Sequence, residues 1–220
     1  MKRIIYILIL FLTLLISEEK DKLNKFTISR LHYGGGGDWY SDPSSLPNLL
    51  EFVNKNTLII TNKNENKVKV GDEQFFLSNY LYMTGHGNIK LTNEEIAILR
   101  GHLLNGAFLH ADDNYGMDKS FRNLINLMFP EKELIEIPLT HEIFNCYYKF
   151  PNGLPKIHEH DNKPPQALGI FHNEKLIILY TYESDLGDGW EDKNAHGVPN
   201  EKRLLALKMG TNIIIHALTR

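Results

Sequence analysis

The stretch His110-Ala111-Asp112-Asp113 places an imidazole and a carboxylate two residues apart. Residues two apart on a strand share a face, so His110 and Asp112 point together and Asp113 opposes them. Such a pair suits a divalent metal or acid–base chemistry. The bland alternative is that Asp113 or Asp118 only caps the following helix. Gly85-His86-Gly87 sets another imidazole between two residues without side chains. His86 is then free to act as a base, a ligand donor or a metal ligand. His158-Glu159-His160-Asp161 adds two histidines and two acids, and Glu183 to Gly197 adds Asp185, Asp188, Glu191 and Asp192. The metal candidates are His86, His110 and Asp112, in a pool that widens to His158 and His160. No run reproduces HExxH, and DLGDGW is not an EF-hand loop. The cofactor stays unnamed; a divalent metal is the one these residues suit.

Four glycines, Gly34 to Gly37, precede Asp38 and Trp39. A Walker loop needs a Lys-Ser/Thr pair that is missing here, and GxGxxG fails because Trp39 or Tyr40 occupies the third glycine position. The run reads as a tight bend that brings Asp38 and Trp39 to a rim.

The elements that would position these groups are legible. Phe26 to Leu31 reads as a strand, and Asp42-Pro43 as an N-cap and first turn of a helix to Lys55. Thr57 to Ile60 reads as a short apolar strand, Lys63 to Lys69 as a polar connection, and Tyr80 to Thr84 as a buried strand. Thr92 and Glu95 form a capping box for a helix ending at Asn105-Gly106. Ala107 to Ala111 is a strand. Asp118 caps a helix carrying Phe121, Leu124, Ile125 and Met128, and Glu133 to Ile137 is a further strand. Lys149 to Pro165 reads as a long irregular loop. Leu168 to Phe171 and Leu176 to Tyr182 make a hairpin, a second irregular stretch follows, and a long helix starts at Asn200. Strands alternating with capped helices indicate an α/β fold, with a mostly parallel sheet between helices on both faces and a late β-hairpin as antiparallel edge. The polar clusters fall where strands end, which is where open α/β sheets bind ligands.

Composition narrows the function classes. The net charge of -3, with no basic run, gives no field for nucleic acid. The one cysteine, Cys146, excludes CxxC zinc sites and internal disulfides, and its aromatic-rich context reads as core. Lys2 and Arg3 precede an apolar run from Ile4 to Ile16, the pattern of a secretory signal. Residues 1–17 are read as signal peptide or N-terminal anchor, 18–25 as tether and 26–220 as one domain. The protein is expected to be exported, touching the membrane only through the N-terminal segment if that is retained.

The segments RLHYGGGGDWYSDPSSLPNL, YMTGHG, LLNGAFLHADDNYGMDKSFR, YKFPNGLPKIHEHDNKPPQ and YTYESDLGDGWED together resemble the bacterial domain of unknown function 4159 family, from about Phe26 to the C-terminus. That family is thought to be related to the class I glutamine amidotransferase-like fold. His141 to Phe144 is also similar to a His-Pro-Ile segment of trehalose-utilisation-type proteins, with Glu142 in place of the proline. The resemblance implies a single flavodoxin-like, three-layer domain. It does not bring glutaminase chemistry. The amidotransferase nucleophile follows the strand that Phe108 to Asp112 matches, and no cysteine stands there.

Of two functional readings, the one the residues favour is a binding module for a small molecule, glycan or protein that lacks the amidotransferase nucleophile, using Gly36, Gly37, Asp38, Trp39, His86, Asp113, His158, Asp185 and Trp190. The alternative, set second because no metal spacing here is specific, is a metal-dependent hydrolase built on His86, His110 and Asp112.

Overall fold

The computed structural model describes residues 25–220. The expected signal segment, 1–17, and the expected tether up to residue 24 lie outside the described residues. Seven strands form one sheet: β1 Ser29–Leu31, β2 Asn66–Val68, β3 Tyr80–Gly85, β4 Phe108–Asp113, β5 Ile135–Glu136, β6 Gln166–His172 and β7 Lys175–Tyr182. Their order is β2-β1-β3-β4-β7-β6-β5. The five strands from β2 to β7 in that order pair in parallel, and β6 and β5 extend the sheet antiparallel. The helices are α1 Ser45–Asn56, α2 Glu73–Phe76, α3 Asn93–Leu104, α4 Asp118–Met128, α5 Leu186–Trp190 and α6 Asn200–Thr219.

Period-two alternation divides the strands between two cores. Tyr80, Tyr82 and Phe108 face one side, where they meet Leu46, Leu49 and Val53 of α1 and Met209, Ile213 and Ile214 of α6. Leu81, Met83, Leu109 and Ala111 face the other, against Leu99 and Leu103 of α3 and Phe121 and Ile125 of α4. Each fully buried leucine contributes roughly 2 kcal/mol of burial free energy. The result is helix, sheet and helix in three layers. No helix of the described residues is long and apolar enough to cross a membrane.

The capping box of Thr92 and Glu95 forms as expected. Several local expectations are corrected. Thr57 to Ile60 is not a strand: Leu58 is fully exposed, and β2 lies in the segment read as a polar connection. Only Val68 of β2 is buried, so its edge pairing with β1 leaves no apolar run to detect. β5 shrinks to two exposed residues. Part of the second irregular stretch folds as α5, buried along its whole length. Cys146 is exposed rather than core.

Asp42 does not cap α1. Its φ is +54°, and Ser44 occupies the cap position without a side-chain cap. Glu191 supplies the cap from far along the chain: its Oε1 accepts from the amides of Ser44 at 2.7 Å and Ser45 at 3.0 Å. A carboxylate on free first-turn amides is favoured by both hydrogen bonding and the helix dipole. Glu191→Ala is therefore expected to cost about 1–2 kcal/mol in chemical denaturation. An unchanged midpoint would mean that α1 does not depend on this cap.

Candidate functional site

The strand order reverses around β1, whose neighbours are β2 and β3. Ligand sites in open α/β sheets form at such a switch point, beyond the carboxyl ends of the strands. The glycine run leaves β1 here and lies along Asn88 to Lys90. Gly34 pairs with Lys90, and the Gly37 amide donates to the Asn88 carbonyl at 3.0 Å. A Cβ on Gly37 would meet that carbonyl at 2.6 Å, so the approach needs glycine. The bend delivers Asp38 to the end of β3. Its Oδ1 accepts from the His86 amide and its Oδ2 lies 2.9 Å from His86 Nδ1. Burial alone would raise the Asp38 carboxyl, but these hydrogen bonds hold it below its ordinary value. His86 is half exposed, with Nδ1 engaged by the acid. Trp39 stacks on His32. Gly36 has open space around its Cα and lines the outside of the bend.

His110 and Asp112 share one face of β4, as alternation requires, and both are completely buried. His110 Nε2 lies 3.0 Å from Thr181 Oγ1, and its ring meets Tyr82 and Trp190. Burial pushes its pKa down to about 3, so it is a neutral core residue at physiological pH. Asp112 accepts from the Thr181 hydroxyl and, at 2.7 Å, from the Gly187 amide. Burial raises it to about 7 against these bonds. Asp113, on the opposite face, accepts from the Met117 amide at 2.9 Å and so prepares the start of α4. Burial raises Asp113 to about 6.

The densest polar cluster lies beyond β7. There the chain passes through left-handed backbone at Glu183 and Asp185, with φ of +57° and +56°, and enters α5. Backbone held in this region costs about 1–3 kcal/mol per residue and collects at functional sites. Asp185 and Asp188 then face the 158–160 segment of the long loop. His160 Nε2 contacts Asp185 Oδ2 in a short hydrogen bond, and His158 Nδ1 lies 2.8 Å from Asp188 Oδ2 and 4.0 Å from Asp185 Oδ2. The second oxygen of Asp188 lies 3.5 Å from His196 Nε2, which is 3.6 Å from Asp42 Oδ1. His158, His160 and Asp185 have the spacing of a metal-ligand set, and so do Asp42, Asp188 and His196.

Charge balance makes this basin unusual. Asp42, Asp112, Asp185 and Asp188 are each at most 5% exposed. Among the described residues no lysine or arginine pairs with these four side chains; their ionic partners are histidines alone. Lys156 and Lys163 are taken by Glu183. Asp185 Oδ1 and Asp42 Oδ2 are buried without a hydrogen-bond partner. Burial away from compensating cations disfavours the charged form of a carboxylate. Burial, then the neighbouring acids Asp112 and Asp188, push Asp185 up to about 9, and burial with Asp188 and Glu191 pushes Asp42 to about 6.

The structure thus separates the residues read from the sequence. Asp38 and His86 meet at the switch point, and His158 and Asp185 meet beyond β7. His86, His110 and Asp112 are not gathered into a ligand set: His86 pairs with Asp38, and the other two lie below the surface of the sheet edge. Trp190 does not reach the rim; it is wholly buried and its Nε1 donates to the Ala206 carbonyl at 2.8 Å. Asp42 and His196 were missed. Asp42 precedes a proline and looked like a cap, and His196 was one of ten histidines with no spacing signal.

These features define an α/β domain with a mostly parallel sheet and a histidine–carboxylate basin at its carboxyl edge. The family described as domain of unknown function DUF4159 matches residues 27–218, and the chain belongs to it. No curated protein matches the sequence.

Proposed function

We propose that this protein is a metal-dependent hydrolase whose cation is held by His158, His160 and Asp185. The observation that carries the reading is Asp185: a buried carboxylate with one oxygen on an imidazole, the other unpartnered, and no lysine or arginine to balance it. Two imidazoles and a carboxylate are a ligand set suited to zinc or manganese. A cation there would supply a water acidic enough to attack an ester or amide at neutral pH.

The ligand-binding reading uses the same rim. A cavity of about 280 Å³ beside the basin is lined by Asp113, Tyr115, Asp118, Lys119, Tyr182 and Glu183. Tyr115 also stacks on His160 at 4.3 Å, which ties the cavity wall to the proposed cation site. Aromatic faces beside acids suit a glycan or a small polar molecule. The flavodoxin-like reading, and with it kinship to the amidotransferase-like fold, draws support from the order of the parallel strands, β2-β1-β3-β4-β7. The basic-then-apolar leader supports placing this chemistry outside the cytoplasmic membrane.

Elemental analysis of full-length, untagged protein tests the proposal. Wild type is expected to carry near-stoichiometric divalent metal, with His160→Ala and Asp185→Asn losing it while staying folded. Hydrolysis of an ester, amide or glycan probe should fall at least 100-fold with the metal, an effect of about 3 kcal/mol on the barrier. Folded wild type that takes up no zinc or manganese would sink the hydrolase and leave the binding module.

A further inference from the structure

Asp188 presents its two oxygens to two different histidines. Oδ2 lies 2.8 Å from His158 Nδ1, in the first ligand group, and Oδ1 lies 3.5 Å from His196 Nε2. Asp42 Oδ1 stands 3.6 Å from the same His196 nitrogen. The last two separations are too long for good hydrogen bonds. They match the spacing of two atoms on one ion: tetrahedral ligands at about 2.0–2.1 Å from a metal lie about 3.3 Å apart. Asp42 is buried with only the long approach of His196 on its Oδ1 and with its other oxygen turned toward Gly187. It is 95% buried by its 5% exposure, and its Oδ2 has no hydrogen-bond donor. The chain also makes room for it. A Cβ on Gly187 would sit 2.7 Å from that oxygen, so the glycine in DLGDGW leaves space for the carboxylate. Glu191 caps α1 in its place, which releases Asp42 from the role its position before Pro43 would give it.

We infer that Asp42, Asp188 and His196 form a second divalent-cation site, and that Asp188 bridges it to the first, making a two-metal centre. The inference rests on the proposed cation site at His158, His160 and Asp185 and extends it. Two cations on opposite oxygens of one carboxylate stand about 3.5–4 Å apart, the spacing that lets a pair share an attacking and a leaving oxygen. The substrate class this favours is an ester or phosphoester whose two reacting oxygens can each face a metal. Histidine among the donors selects zinc or manganese over calcium.

The test is a metal titration of full-length, chelator-stripped protein with zinc and with manganese, read by calorimetry and by elemental analysis after desalting. Wild type should bind two equivalents, and the manganese form should give the exchange-coupled paramagnetic resonance signal of a close pair. His196→Ala should bind one equivalent and lose the coupled signal. His196 is exposed, so this variant should fold, and His196→Asn serves as a second version. One equivalent in wild type, kept by His196→Ala and lost by His160→Ala, would overturn the second site and leave the first intact. No metal in folded wild type would overturn both.

Discussion

Trp190→Ala is expected to lower stability by about 4 kcal/mol and to abolish metal uptake in the same protein. Trp190 is the largest wholly buried side chain, and it closes α5 onto the sheet and α6. Its ring meets Tyr82 and His110 from the sheet, and its Nε1 satisfies the Ala206 carbonyl. α6 comes so close that a Cβ on Gly210 would lie 2.9 Å from the indole Cζ2. Truncation therefore leaves a large cavity in dense surroundings that cannot collapse, and an indole donor is lost with it. The functional effect follows because α5 is one turn long. Asp185 precedes it and Asp188 sits on it, so loosening Trp190 frees both carboxylates from their histidines. Chemical denaturation and elemental analysis of one preparation read both effects. A loss under 1 kcal/mol would mean that the indole is not the anchor of this turn. Trp190→Phe should keep most of the packing and recover metal uptake.

Trp190 also marks where sequence reading reached its limit. An aromatic between acids in a loop-like segment resembles a ligand contact, and only tertiary packing turns it inward. The capping box at Thr92 and Glu95 was legible because both partners are local. His110 and Asp112 sharing a face was legible from strand alternation. Their depth was not, since the burial comes from Trp190 and Thr181, which arrive 70 to 80 residues later. The bend at Gly34 to Gly37 forms and brings Asp38 to His86, but Trp39 turns onto His32 and His110 stays buried, so the rim expected from the sequence is only half assembled. Asp42 was hidden by a local rule that another residue satisfies: Glu191, 146 residues from Ser45, takes the cap. The apolar run Thr57 to Ile60 failed for the opposite reason. It looked like core and lies on the surface, beside the chain's entry at Phe26. Periodicity thus located the layers, while the basin depends on contacts that no window along the chain contains.

In the presence of chelator, the protein is expected to lose about 3 kcal/mol of stability between pH 6.5 and 8.5. In the unfolded chain every aspartate is ionised across this window. In the fold Asp185, raised to about 9, keeps its proton through most of it, and Asp112, raised to about 7, keeps part of one. The native state therefore binds more protons than the unfolded state, and stability falls as pH rises, by about 1.4 kcal/mol per pH unit for each proton. The buried histidines act with the opposite sign. His110 at about 3 and His216 at about 4 sit below their ordinary 6.5, so most of their effect falls at lower pH and each offsets only about 0.4 kcal/mol of the loss in this window. Denaturation midpoints at three pH values measure the slope. Asp185→Asn should flatten it and should make the chelated protein more stable than wild type at pH 8.5, while losing metal. A level wild-type profile would mean that the basin acids are balanced by something other than protons. A cation reverses the argument, because it replaces the protons and repays the burial of four carboxylates at once. The acids that cost the metal-free fold its stability are then the ones that hold the metal, which is the trade expected where stability is given up for a site.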